Sequence, residues 1–152
     1  MLLRTILSVG LAASCLAMGG CWSTPAPTIS VVGMTPGDST PDGSLLIVEL
    51  EAQSTAEDQL PLTEVRYTVS RDGKQVFSGF RSPQATLRRF GTQRLLLPAV
   101  VPGGIGAGGV YEVEGTMTYV EPGTIAGVLF DFGVRTPTVD FSGTGTLAPA
   151  SR

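Results

Sequence analysis

The 152-residue chain contains no histidine and no asparagine, one lysine and two cysteines, and only 15% of its residues are charged. Each shortage excludes something. Histidine is the usual general base near neutral pH and the commonest metal ligand, so Ser-His-Asp triads, Cys-His pairs and His-rich zinc sites have no residues to be built from. With Lys74 the only lysine and a net charge of −3, the chain is not equipped to neutralise a phosphate backbone, and nucleic acid is excluded as a partner. Low charge beside 20 glycines and 11 prolines fits short strands joined by many turns better than helices.

What is present begins with Met1-Leu2-Leu3-Arg4 and an apolar stretch from Thr5 to Gly20. One basic residue, an apolar middle and small residues before a cleavage point make a secretory signal peptide. The stretch is shorter than the roughly 20 apolar residues of a bilayer span, which argues against a permanent transmembrane anchor. Met18-Gly19-Gly20-Cys21 resembles the lipobox of bacterial lipoproteins, with small residues ahead of the cysteine. Ala12-Ala13-Ser14-Cys15 is a rival that would leave a very short apolar region. Beyond the leader Cys21 is the only cysteine, so the mature chain has no internal disulfide, and lipid on Cys21 is the expected use of that thiol. The leader's one charge is the positive Arg4, so its removal leaves −4. Trp22 rather than aspartate follows Cys21; the resemblance therefore implies a bacterial envelope protein at the outer membrane, facing the periplasm. The expected layout is a signal peptide (1–20), a lipidated tether (21–27), one domain (28–148) and a disordered tail (149–152).

The domain reads as strands. Thr28–Met34 is followed by a turn region, Thr35–Asp42, whose aspartates lack the alternating ligands of a calcium loop. Leu46, Val48, Leu50 and Ala52 alternate with Glu49, Glu51 and Gln53, the period of a half-buried strand. Leu62–Arg71 and Lys74–Phe80 flank Asp72-Gly73, a strong hairpin signal; pairing Arg71 with Lys74 sets Val69 opposite Val76. Thr92–Val101, with Pro98, reads as a strand that is not central throughout. Tyr111, Val113, Met117 and Tyr119 point inward and Glu112, Glu114, Thr116 and Thr118 outward. Val128, Phe130, Phe132 and Val134 alternate with Asp131 as a further strand, and Val139–Leu147 closes the domain. No stretch sustains a helical period in this reading. The expected fold is all-β: an antiparallel immunoglobulin/fibronectin-III-like sandwich of about seven to nine strands.

Several runs resemble the late embryogenesis abundant type 2 family, also called the water stress and hypersensitive response (WHy) domain. They are Leu62–Val69 with its hairpin into Gln75–Gly79, Leu95–Val100, Tyr111–Met117 and Val139–Gly145, in matching order and spacing. The family's Asn-Pro-Asn-like turn after the second strand is replaced by Gln53-Ser54-Thr55. The resemblance implies a fibronectin-III-like sandwich linked to desiccation or stress protection, and it carries no catalytic residues over.

Two clusters invite sharper readings. Glu112/Glu114 and Glu49/Glu51 are i, i+2 pairs about 6.5–7 Å apart by strand rise, within the range used for glycoside hydrolysis, but a polar outer face gives the same spacing. Arg81, Arg88, Arg89 and Arg94 crowd one loop and strand. They suit an anionic headgroup patch or an acidic partner, and equally a solvated edge that resists aggregation or cross-strand pairing with glutamates. The sequence thus points to a non-catalytic lipoprotein without metal or cofactor, held to the membrane through Cys21. It acts either by weak contacts with protein clients or membrane surface, as a stress protectant, or as an accessory lipoprotein docking one envelope partner.

Overall fold

The computed structural model describes residues 24–105 and 108–147. The leader, Cys21 and the tail beyond Leu147 lie outside the described residues, as do two residues of the Gly-rich connection Pro102–Gly109.

Eight strands and one helix follow in chain order: β1 (Thr28–Thr40), β2 (Gly43–Gln53), β3 (Leu60–Arg71), β4 (Lys74–Arg81), β5 (Ala85–Leu87), β6 (Thr92–Val101), β7 (Val110–Tyr119), α1 (Thr124–Asp131) and β8 (Thr138–Thr146). One sheet has the order β1-β2-β6, and the other β4-β3-β7-β8, with β5 pairing the start of β3. Every pairing is antiparallel, and the two sheets face each other as the expected sandwich.

Period-two alternation creates the core. On β2, Leu46, Val48, Leu50 and Ala52 are fully buried, and Tyr111, Val113, Met117 and Tyr119 of β7 meet them from the opposing sheet. Each large aliphatic side chain removed from water contributes about 1.5–3 kcal/mol. The sheets are also linked by a polar contact: the Tyr67 hydroxyl of β3 donates to the Pro98 carbonyl of β6. Burial raises the Tyr67 pKa above its ordinary value, while nearby Arg81 opposes the shift. β6 is an edge of its sheet, which admits Pro98 without breaking a second ladder.

Three expectations need correction. Thr35–Asp42 is not a turn region throughout: β1 runs on to Thr40 through irregularities between Val31 and Gly33 and between Pro36 and Ser39. As an edge strand β1 pairs only β2, so Pro36 and the bulges are tolerated, and the turn shrinks to Pro41-Asp42. In the hairpin Arg71 does face Lys74, but a bulge puts Val69 opposite Phe77 and leaves Val76 without a partner. The Phe77 ring instead packs at 5.2 Å against Tyr67. Finally, Val128–Phe132 is not a strand but belongs to α1 and its end.

α1 forms because its boundaries are marked. Gly123, at φ 112°, opens it, and Gly133, at φ 67°, closes it. The Gly133 amide donates to the Phe130 carbonyl at 2.9 Å and the Val134 amide to the Leu129 carbonyl at 2.9 Å. These two bonds, with a left-handed glycine after the last turn, are a Schellman stop. Ile125, Val128, Leu129 and Phe132 then recur at helical, not strand, spacing.

Candidate contact surface at the helical end

Register defines two ends of the sandwich. β7 stops at Tyr119 and β8 starts at Thr138, and these positions lie beside Leu62 of β3. A Cβ built on Gly143 would meet Val31, and one on Gly145 would meet Met34, so β1 runs alongside β8 in the same direction. Thr28, where β1 begins, is therefore at this end, together with Gln53 and its partner Thr92. The helical end thus collects the chain's entry into the domain, the Ser54–Gln59 connection, the segments on either side of β5, and α1. The opposite end carries the Pro41-Asp42 and Asp72-Gly73 turns, the described ends of the connection between β6 and β7, and the exit at Leu147.

α1 buries none of its residues. Ile125 is 78% exposed, Phe132 80% and Val134 71%. At its base, Arg135 donates to Glu121 at 2.8 Å, fixing the chain that returns to β8. Burial, with Glu121 beside it, raises the Tyr119 pKa, and Arg135 opposes this.

A second apolar point stands at the same end. The β5–β6 connection reads Arg88-Arg89-Phe90-Gly91, and Phe90 is 69% exposed. Backbone bonds set this loop: the Phe90 amide donates to Ala56, Gly91 to Arg88, and Ser54 to Gly91. The Ser54 hydroxyl also accepts from the Ala56 amide at 3.1 Å, so a serine turn occupies the place of the missing Asn-Pro-Asn. Phe90 sits at φ 50°, a left-handed conformation that disfavours a non-glycine residue by roughly 1–2 kcal/mol. A strained backbone that presents a ring to solvent is the kind of outlier found at contact sites.

The four arginines separate. Arg88 and Arg89 are exposed in the loop beside Phe90. Arg81 ends β4 and borders a notch with Ser82, Gln84 and Leu95–Leu97. Arg94 lies on the outer face of β6, opposite Glu51 and 4.0 Å from Glu49, the cross-strand pairing that the outer glutamates offer. The apolar residues of α1 and Phe90 were missed by strand-wise reading; Gly123, Gly133 and the Ile125/Val128/Leu129/Phe132 spacing were the available signal.

Elsewhere, a broad concavity of about 950 Å3 crosses the outer face of the larger sheet. Glu114 and Asp140 border it, and Asp140 accepts a hydrogen bond from Thr116 at 3.0 Å. Glu112 and Glu114 are exposed. Among the described residues, no group of three His, Cys, Asp or Glu could hold a metal ion, and no helix is long and apolar enough to cross a membrane.

Comparison with solved structures then decides the fold. A putative late embryogenesis abundant protein, solved in solution, superposes with a TM-score of 0.62 at 17% identity, over 83% of this chain and 74% of its own. The fold is late-embryogenesis-abundant-like. An Arabidopsis thaliana protein, also solved in solution, matches with a TM-score of 0.61 at 18% identity, covering 85% of this chain and 87% of that one. An Archaeoglobus fulgidus protein matches at 0.53 and 11% identity, over 86% and 100%. No family model and no curated protein matches the sequence. At such identities the likeness concerns the late-embryogenesis-abundant-like sandwich itself.

Proposed function

We propose that the chain is a non-catalytic lipoprotein, anchored through Cys21, whose late-embryogenesis-abundant-like sandwich protects by weak contacts with proteins or membrane surface. The observation that carries this reading is the apolar surface left over by a completed core: Ile125, Phe132, Val134 and Phe90 stand in solvent while β2 and β7 are sealed. Exposed apolar groups gathered on one part of a surface, rather than scattered singly, mark contact sites. The lipobox-like Met18-Gly19-Gly20-Cys21 supports the anchor, and several acyl chains on one residue exceed what stable membrane attachment requires.

Two experiments test it. Metabolic labelling with a fatty-acid analogue should mark the wild type and not Cys21→Ala; equal labelling of both removes the anchor. Drying or heating a labile enzyme with the chain from Cys21 onward should preserve more activity than an equal mass of an unrelated protein, and Ile125→Ser with Phe132→Ser should reduce that protection. Protection no better than the control favours the accessory reading, for which Phe90 and Phe132 supply the aromatic anchors of a specific partner.

A further inference from the structure

We propose that the helical end is a bilayer-docking face. Ile125, Phe132, Val134 and Phe90 enter the interfacial layer of the membrane that holds the chain, and Arg88 and Arg89 meet lipid phosphates. This rests on the reading of Cys21 as the lipidated residue.

The argument is one of reach and placement. Thr24 is the first described residue, and it and Pro27 already pack against the domain, half-buried and buried. Two residues, Trp22 and Ser23, separate it from Cys21, and even fully extended the three steps from Cys21 to Thr24 span at most about 11 Å. A lipid on Cys21 therefore holds one particular end of the sandwich against the bilayer. β1 starts at the end where β7 stops and β8 starts, so that end is the one carrying α1 and the Phe90 loop. The exposed apolar side chains of the described connections gather where the tether emerges, while Asp38, Asp42 and Asp72 lie at the far end.

The chemistry suits an interface rather than a bilayer interior. α1 spans eight residues, about 12 Å at helical rise, so it can lie in the headgroup region but not cross. Aromatic and aliphatic side chains flanked by arginine are the composition of interfacial segments. Glu57, Asp58 and Asp131 share this end, so its net charge is small. The apolar side chains therefore make the contact, and anionic lipid adjusts it. Fixed by a short tether, even a weak docking is strengthened by the high local concentration of bilayer.

The test uses the chain from Cys21 onward, whose single thiol couples it to a maleimide lipid in vesicles of phosphatidylcholine with a minority of phosphatidylglycerol. In a Trp22→Phe background, a Phe132→Trp reporter is compared with Val110→Trp at the opposite end, using acyl chains brominated near the headgroup as quenchers. Quenching several-fold stronger at Phe132→Trp, and diminished by Ile125→Asp, is the expected result. Equal quenching at both positions, or none at Phe132→Trp, overturns the proposal. So does a Phe132→Trp emission that depends on protein concentration before vesicles are added, which would assign the face to a second copy. Because the thiol is coupled chemically, docking is read whether or not a cell lipidates Cys21. Quenching without metabolic labelling keeps the docking face and removes the anchor, and labelling without quenching does the reverse.

Discussion

The two ends of the sandwich solve the same problem, returning the chain from one strand to the next, with different means. At the hairpin end two of the connections, Pro41-Asp42 and Asp72-Gly73, are short polar turns. Asp72 and Gly73 both adopt positive φ, 49° and 77°, the geometry whose twist matches the flanking strands, and Asp72 exchanges bonds with Val110 through its amide and its carboxylate. At the helical end the connections through Phe90 and α1 set large apolar side chains in solvent. At the hairpin end the exposed large apolar side chains among the described residues, Val100 and Val110, lie on strands rather than on connections. The helical end holds more apolar surface than folding uses, and that surplus is where contact with something outside the domain is to be sought.

The contrast fails if the apolar side chains at the helical end merely reflect a loosely packed core beneath them. Leu46 lies nearer the hairpin end of β2 and Leu50 nearer the helical end, and both are fully buried. Leu46→Ala and Leu50→Ala should each destabilise by about 2–5 kcal/mol in denaturant unfolding. A Leu50→Ala cost far below that of Leu46→Ala would mean that the core thins toward α1.

Between the ends, two buried tyrosines separate packing from hydrogen bonding. Tyr67→Phe strands the Pro98 carbonyl and should cost about 1–3 kcal/mol. The Tyr111 hydroxyl has no partner among the described residues, so Tyr111→Phe should be close to neutral. The raised Tyr67 pKa adds a sign: the native state favours the neutral phenol. Its contribution is complete below the unfolded value near 10 and is lost as pH rises through the folded value. Alkaline titration of stability should therefore fall less steeply in Tyr67→Phe, the remaining slope coming from Tyr119. An unchanged alkaline limb would mean that burial does not desolvate the Tyr67 phenol in the folded state.

The hairpin end should yield a smaller effect. Gly73→Ala forces a Cβ into φ 77° and should cost roughly 1 kcal/mol, read as a lowered unfolding midpoint. No effect would mean that the turn does not constrain the register of β3 and β4.

How much of this was legible in the sequence follows the same division. β2 and β7 have one buried and one wet face, and their period-two pattern stated the core correctly. Asp72-Gly73 announced its turn, although the bulge that pairs Val69 with Phe77 left no compositional trace. α1 was misread because apolar residues at 128, 130, 132 and 134 imitate a strand when the flanking Gly123 and Gly133 are ignored. Its side chains face solvent at helical spacing, and a pattern read as a guide to burial goes astray where apolar residues are not buried. The arginines were grouped by sequence proximity, yet strand direction parts them: Arg94 faces Glu49 while Arg88 and Arg89 stand on a loop.

The smallest expected effect is the sharpest test of the contrast. Phe132 lies at the last turn of α1 and is 80% exposed, and Ile125 is 78% exposed. If the fold makes no use of them, Ile125→Gln and Phe132→Gln should each change unfolding free energy by no more than about 0.5 kcal/mol, as exposed substitutions generally do. Glutamine is close to the better helix formers, so α1 itself should persist, and its Schellman bonds involve only backbone groups. Far-ultraviolet circular dichroism and denaturant midpoints should therefore match the wild type. A loss of 2 kcal/mol or more, on the scale of about what core truncation costs, would show that these side chains pack against the domain in solution. The helical end would then be part of the core, and the surplus of apolar surface on which both the protective and the docking readings depend would vanish.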